Sequence, residues 1–211
     1  MVLTLFLDKT EKVKNYCVEV SALAKLQDNA ATEQATLGQA IAELGNPVLR
    51  QVAQTIESPT DAWVQTLIDT LIAKTLACHG VGIAAPQLAE SCQLIVVASR
   101  PNLRYPDAPT MEPTALLNPQ IVDCADTDVD GWEGCLSVPG LRGLVRRSYW
   151  IDVAYTDRQG QACQQRFTDF VARIVQHEID HLNGTLFIDR VAKTTDLMSE
   201  AEWLKQVAKI T

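Results

Sequence analysis

Histidine is scarce in this chain, with three in 211 residues. No apolar run approaches the roughly 18 residues a membrane-spanning helix needs, so no membrane span is expected. There is no dense basic cluster either. With a net charge of −8 and a pI near 4.9, direct nucleic-acid binding is not expected. The six cysteines show no tight paired spacings and so no disulfide framework. Cys17, Cys78, Cys92, Cys124 and Cys163 read as small, reduced, buried groups. Met1 to Leu7 is apolar but lacks a basic flank and runs straight into Asp8, Lys9 and Glu11, a poor secretory signal. The first arginine is Arg50, which argues against a transit peptide. No internal repeat is visible.

What is present fits one globular domain: 211 residues with 47% apolar content. Ser21 to Glu43 is rich in helix formers and reads as an extra helix or an extension. Thr60 can cap a helix with Trp63, Val64, Leu67, Ile68, Leu71, Ile72 and Leu76 on its buried side, stopped near Gly80. Gln93 to Ala98 reads as a buried strand. Ala115 to Val122 reads as another, interrupted by Asn118-Pro119. Ser148 to Tyr155 and Gln161 to Phe167 flank Asp157-Arg158-Gln159-Gly160, a hairpin signal. A last helix starts at Ser199, with Glu202 completing a capping box and Trp203, Val207 and Ile210 on one face.

Two of the three histidines stand in Gln176-His177-Glu178-Ile179-Asp180-His181. Phe170, Ile174, His177 and His181 follow at spacings of four, three and four, one stripe on a helix. Thr168 and Asp169 are capable caps and Asn183-Gly184 is a stop signal. A lone inward histidine is most often a satisfied core residue. Two at i and i+4, with Glu178 between, can bind one metal ion and reach a water beside it, which is the equipment of a metal-dependent hydrolase. Asp180 is expected to support this site from behind or to face solvent.

A catalytic site of this type takes three protein ligands. His79, the cysteines and the carboxylates compete for the third place. Cys135 stands out because Gly131-Trp132-Glu133-Gly134-Cys135-Leu136-Ser137-Val138-Pro139-Gly140 is a shaped segment near a strand edge, not a regular helix.

Three segments together resemble the peptide deformylases. Gly80-Val81-Gly82-Ile83-Ala84-Ala85-Pro86-Gln87 is similar to that family's GxGLAAPQ, with Ile83 in place of leucine. Glu133-Gly134-Cys135-Leu136-Ser137 matches EGCLS, and His177-Glu178-Ile179-Asp180-His181 matches HExDH. The similarity runs over roughly residues 44 to 200. It implies an α+β fold, with antiparallel β-sheets around a central metal-binding helix and a C-terminal helix. It implies a single catalytic domain over residues 41–211, preceded by an extension over residues 1–40 with no assigned function.

The implied metal ligands are Cys135, His177 and His181, with water in the fourth place. The implied ion is iron(II), with zinc, nickel or cobalt in purified samples. Glu178 is implied as general base and then acid, with Gln87 and the Leu136 N–H as oxyanion donors. Gly80, Val81, Gly82, Ile83 and Gly134 are implied to lie along the substrate. Ile83, Leu136, Ile174 and His177 are expected near the methionine pocket. Arg142 is a candidate for the substrate main chain or carboxylate, although a charged loop residue more commonly faces solvent. Glu133 and Arg147 are implied to pair as a brace. The implied substrate is the N-formyl-methionyl end of a nascent chain, met near the ribosome. The products are formate and a peptide with a free N-terminal methionine. Bacterial cytoplasm is the expected location, with an organelle as the alternative. Another metallopeptidase is disfavoured because Cys135 replaces the usual third His or Glu. A closed structural site is disfavoured because only three ligands are apparent.

Overall fold

A computed structural model describes residues 39–102 and 104–206. From Ala40 onward the chain clusters as one compact unit. Most of Ser21 to Glu43, read as an extra helix or an extension, lies outside the described residues, as do Val207 and Ile210. Residues 39–44 are not helical: Ala42 N–H donates to the Gln87 carbonyl at 2.8 Å, and Leu44 N–H to the Ser137 carbonyl at 2.7 Å.

Strand β1 (Gly82–Ala84) pairs with β2 (Leu94–Val97), β2 with β3 (Thr114–Cys124), β3 with β6 (Trp150–Thr156) and β6 with β7 (Ala162–Thr168), all antiparallel. A second sheet joins β4 (Asp128–Cys135), β5 (Val138–Ser148) and β8 (Leu197–Ser199). Among the described residues four α-helices accompany the sheets: α1 (Ala62–Ala77), α2 (Asp169–Leu182), α3 (Phe187–Arg190) and α4 (Glu200–Gln206). This is the expected α+β arrangement.

The apolar run of β2 is buried on both faces because a helix covers each side of the five-stranded sheet. Ile95, Val97, Leu116, Val153 and Phe167 pack against Val175, Ile179 and Leu182 of α2. Ile83, Leu94, Val96 and Leu117 alternate to the opposite face and pack against Val64, Leu67, Ile68 and Leu71 of α1. Helix α2 is therefore the amphipathic element at the centre. Its apolar side lies on the first sheet and its polar side turns to the β4–β5 hairpin.

Local details depart from the sequence reading in places. Asp61, not Thr60, holds the cap position of α1. Trp63 and Leu76, expected on its buried side, are 52% and 40% exposed. They sit in the first and last turns, off the Val64–Ile68–Leu71–Thr75 stripe. Asn118-Pro119 bends β3 at a bulge without ending it, and the Asn118 side chain bonds both backbone groups of Ile56. Asp157 Oδ1 closes the β6–β7 turn by accepting the N–H groups of Gln159 and Gln161. Thr168 takes the cap position of α2, although its side chain makes no capping bond. The helix ends at Asn183, with Gly184 left-handed at φ 68°. Ser199 lies in β8; its hydroxyl accepts from Glu202 N–H at 3.3 Å, while Glu202 itself bonds Lys205 and Gln206.

Leu116 is fully buried beneath α2. Leu116→Ala is expected to cost about 2–5 kcal/mol of stability, measured by denaturant unfolding of the full chain.

Candidate metal centre and active site

Helix geometry puts His177 and His181 one turn apart on the same face, their rings edge to face with centroids 5.2 Å apart. The β4–β5 hairpin brings the third donor. Cys135 ends β4, Leu136 and Ser137 form the turn, and a bulge between Glu133 and Cys135 re-aims the strand. Cys135 Sγ lies 3.2 Å from His181 Nε2. One donor atom each from Cys135, His177 and His181 falls within 4.8 Å of the others. Of the competing candidates among the described residues, His79 lines the cleft without joining the group, and Cys78, Cys92, Cys124 and Cys163 do not join it; Cys17 lies outside the described residues.

The donors are prepared for a cation. His177 Nδ1 is 2.8 Å from Glu133 Oε2. A carboxylate only accepts, so the ring hydrogen sits on Nδ1 and leaves the Nε2 lone pair free. Burial pushes the Glu133 carboxyl up, but hydrogen bonds from His177 and Arg147 outweigh it and hold the group far below the usual range. Burial also opposes ionisation of Cys135, yet the His181 and His177 imidazoles draw its thiol well below the usual value. Against burial, hydrogen bonds to Cys135 and Glu133 in turn raise His177, and a divalent ion held here would take the place of the Nε2 proton. Two buried polar atoms here have no partner, Glu178 Oε2 and His181 Nδ1. Orphaned groups of this kind are costly unless something binds beside them. A thiolate, two imidazoles and an idle carboxylate oxygen fit a divalent ion and its water.

Burial lifts the Glu178 carboxyl to about 7. A cation beside it pulls the value down again. Strand β1 presses close: a Cβ on Gly82 would stand 2.5 Å from Glu178 Oε1 and 2.8 Å from Ile174 Cγ2. Only glycine admits this approach. Among the described residues β1 pairs with β2 alone, which leaves its other edge open, and Gly80, Val81 and Gly82 line a cleft of about 190 Å³ bordered by Cys135 and His177. Gly134, Leu136 and Ile174 line the same cleft. Ile83 does not: alternation along β1 turns its side chain to the core under α1, where it is fully buried.

Gln87 follows in the 3₁₀ turn Ala85–Leu88. Its Oε1 accepts the Ala84 N–H at 2.9 Å, which orients the amide nitrogen toward the hairpin. That nitrogen donates to Ser137 Oγ at 3.1 Å and to Cys135 Sγ at 3.5 Å.

Arg147 forks onto Glu133 with two 3.0 Å bonds and reaches Asp180 at 2.6 Å. Asp180 is buried, not solvent-facing, and also receives Arg190. Arg142 is corrected in the same direction. It lies in β5, not in a loop, and only 3% of it is exposed, so the solvent-facing expectation fails. Sequence reasoning missed Arg173, which reaches Glu133 at 2.9 Å and the carbonyls of Gly131, Val129 and Val145. Its signal was its place four residues before His177 on the same helix face. Ser137 stands in the EGCLS match but was given no role there, and Tyr105 and Glu200 were missed because nothing local marks them.

A family model for polypeptide deformylase matches residues 39–196. The chain belongs to the polypeptide deformylase family. It is 57% identical to peptide deformylase 2 of Nostoc sp. over 81% of this chain and 96% of that one. It is 44% identical to peptide deformylase 1 of Bordetella pertussis over 74% of this chain and 89% of that one. A Met-Ala-Ser-bound crystal structure of a class I type b peptide deformylase from Acinetobacter baumannii superposes with a TM-score of 0.70 at 44% identity, covering 72% of this chain and 96% of that one. The Synechococcus elongatus peptide deformylase in complex with actinonin gives 0.67 at 32% identity, covering 82% and 90%. This deformylase is a hydrolase that removes the N-formyl group from nascent polypeptides. The family is metal-dependent.

Two outcomes follow from the geometry. Gly82→Ala should displace Glu178 and slow formate release by about 100-fold, with metal content unchanged by elemental analysis. Arg147→Met, which takes two bonds from Glu133 and one from Asp180 while leaving Arg173, His177 and Arg190 in place, should cost about 3 kcal/mol in denaturant unfolding and lower the retained metal.

Proposed function

We propose that Cys135, His177 and His181 hold one divalent ion, iron(II) in the cell, and that residues 41–211 act as a single catalytic domain behind an extension over residues 1–40. The observation that carries this reading is the three-donor cluster beside the idle Glu178 Oε2. A single thiolate with two imidazoles suits iron(II) and zinc alike, and zinc, nickel or cobalt replaces the iron in purified samples. When bound, the ion supplies Lewis-acid chemistry that acidifies water and polarises a carbonyl.

The chain's own residues do the rest. Glu178 takes a proton from the attacking water as its oxygen joins the formyl carbon. The Leu136 N–H and the Gln87 amide donate to the oxygen that gains charge. The Gln87 hydrogen aimed at Cys135 Sγ is the one to be shared, because its 3.5 Å contact is the weaker of the two. As the C–N bond breaks, Glu178 returns its proton to the leaving methionine nitrogen, giving formate and a free amine. The substrate chain lies extended along the open edge of β1, against Gly80, Val81 and Gly82, with Gly134 and Arg142 on the facing hairpin. Leu136, Ile174 and His177 border the methionine side chain. Glu133 and Arg147 keep the hairpin in place.

The substrate is the formyl-methionyl end of a chain leaving the ribosome, in a bacterial cytoplasm. The Acinetobacter relative was crystallised with Met-Ala-Ser, the peptide such a reaction leaves behind. No helix among the described residues is long and apolar enough to cross a membrane.

The test is formate release from formyl-Met-Ala-Ser, run anaerobically with iron(II) and beside a zinc-loaded sample. Release of free amino acids from unformylated peptides, without formate from the formylated one, would overturn the reading. Glu178→Ala should keep its metal and lose about 10²–10⁴-fold in kcat. Cys135→Ser should retain less metal or change its preferred ion, read by elemental analysis after dialysis against a chelator.

A further inference from the structure

Arg142 is held at the cleft by residues from two distant parts of the chain. Its NH2 donates to Glu200 Oε1 at 2.6 Å, and its NH1 donates to the Tyr105 hydroxyl at 2.8 Å. Trp203 lies under its guanidinium at 4.6 Å, and Tyr105 packs against both Phe170 and Trp203. The register of the second sheet sets this up. Arg142 on β5 pairs with Met198 on β8, and β8 leads straight into Glu200 at the start of α4.

The assembly borders the reacting centre. Arg142 lies against the Cα of Gly134, where an added Cβ would be 2.6 Å from its guanidinium carbon. Gly134 directly precedes Cys135. Tyr105, Arg142 and Glu200 all line the same cleft as Cys135, His177 and Glu178. Arg142 is 97% buried, yet its Nε has no partner. The Tyr105 hydroxyl accepts from Arg142 and so keeps its own hydrogen to donate. Glu200, partly exposed, has a second oxygen to accept with. Donors and an acceptor beside an open strand edge match the alternating C=O and N–H groups of a peptide main chain.

We propose that Tyr105 and Glu200 are positioning residues that hold Arg142 for the peptide main chain beyond the residue that follows methionine. They thereby make the enzyme select longer formylated peptides over shorter ones. This rests on the deformylase reading above. Without Glu200 the guanidinium loses its charged partner and its fixed orientation. Without the Tyr105 hydroxyl it loses one neutral anchor.

The experiment compares formate release from formyl-Met-Ala and formyl-Met-Ala-Ser by the full-length, metal-loaded enzyme. Glu200→Ala should lower the ratio of the two kcat/KM values, tripeptide over dipeptide, by about tenfold and act through the KM of the tripeptide. Tyr105→Phe removes a single oxygen and should lower the same ratio about threefold. Equal losses on both substrates would show a merely structural role and overturn the proposal. A ratio unchanged in both variants, or a loss carried by kcat alone, would overturn it too. Failure of the unmodified enzyme on both substrates would instead overturn the deformylase reading, and this proposal with it.

Discussion

A single carboxylate, Glu133, is held inside the protein by donors from two elements. Arg147 reaches it from β5, and Arg173 and His177 from α2. Removing that charge from water is expensive, and only near-complete pairing makes it tolerable. The pairing dictates much else. It locks the β4–β5 hairpin to the helix, so the sulfur at the end of β4 meets the two imidazoles. It also sets the His177 tautomer, turning the other ring nitrogen outward. Arg147 continues to Asp180 and from there to Arg190, so the far end of the helix is tied into the same network.

The oxyanion side is held by a different logic. Gln87 is oriented by the Ala84 amide, and its nitrogen rests on Ser137 and Cys135. The extended segment through Ala42 and Leu44 then bonds the carbonyls of Gln87 and Ser137. Two chain segments far apart in sequence are thus pinned to one short strap. Close approach completes the site. Gly82 lets β1 lie against Glu178, and Gly134 leaves room for the guanidinium of Arg142.

Much of this was legible before any coordinates. The Phe170–Ile174–His177–His181 stripe announced an inward-facing helix, and the three motifs named the residues that gather around it. The hairpin at Asp157–Gly160 and the buried strand expected over 93–98, found at Leu94–Val97, also read directly. The misreadings share a cause. Arg142 was weighed as a charge on a loop, whereas the pairing of β5 with β8 buries it under α4. Ile83 was placed beside the substrate as part of a motif, whereas strand alternation turns it into the core. Trp63 and Leu76 belong to the expected buried stripe, but they lie in the end turns of the helix, where the described residues leave them exposed. Tyr105 and Glu200 carried no local signal, since their meaning lies in a partner 37 and 58 residues away.

By itself the amino-acid order determined the local periods and the chemical inventory: which residues alternate, which stack at i and i+4, where chains must turn, and which groups can bind a metal or carry a proton. Backbone geometry and side-chain chemistry act over a few residues, so these features need no knowledge of the fold. Only the tertiary structure decided which charges are buried and with whom, which sulfur faces the imidazoles, and which strand edge stays open. Those outcomes depend on desolvation and on contacts between distant segments, and both arise only once the sheets close around the helix.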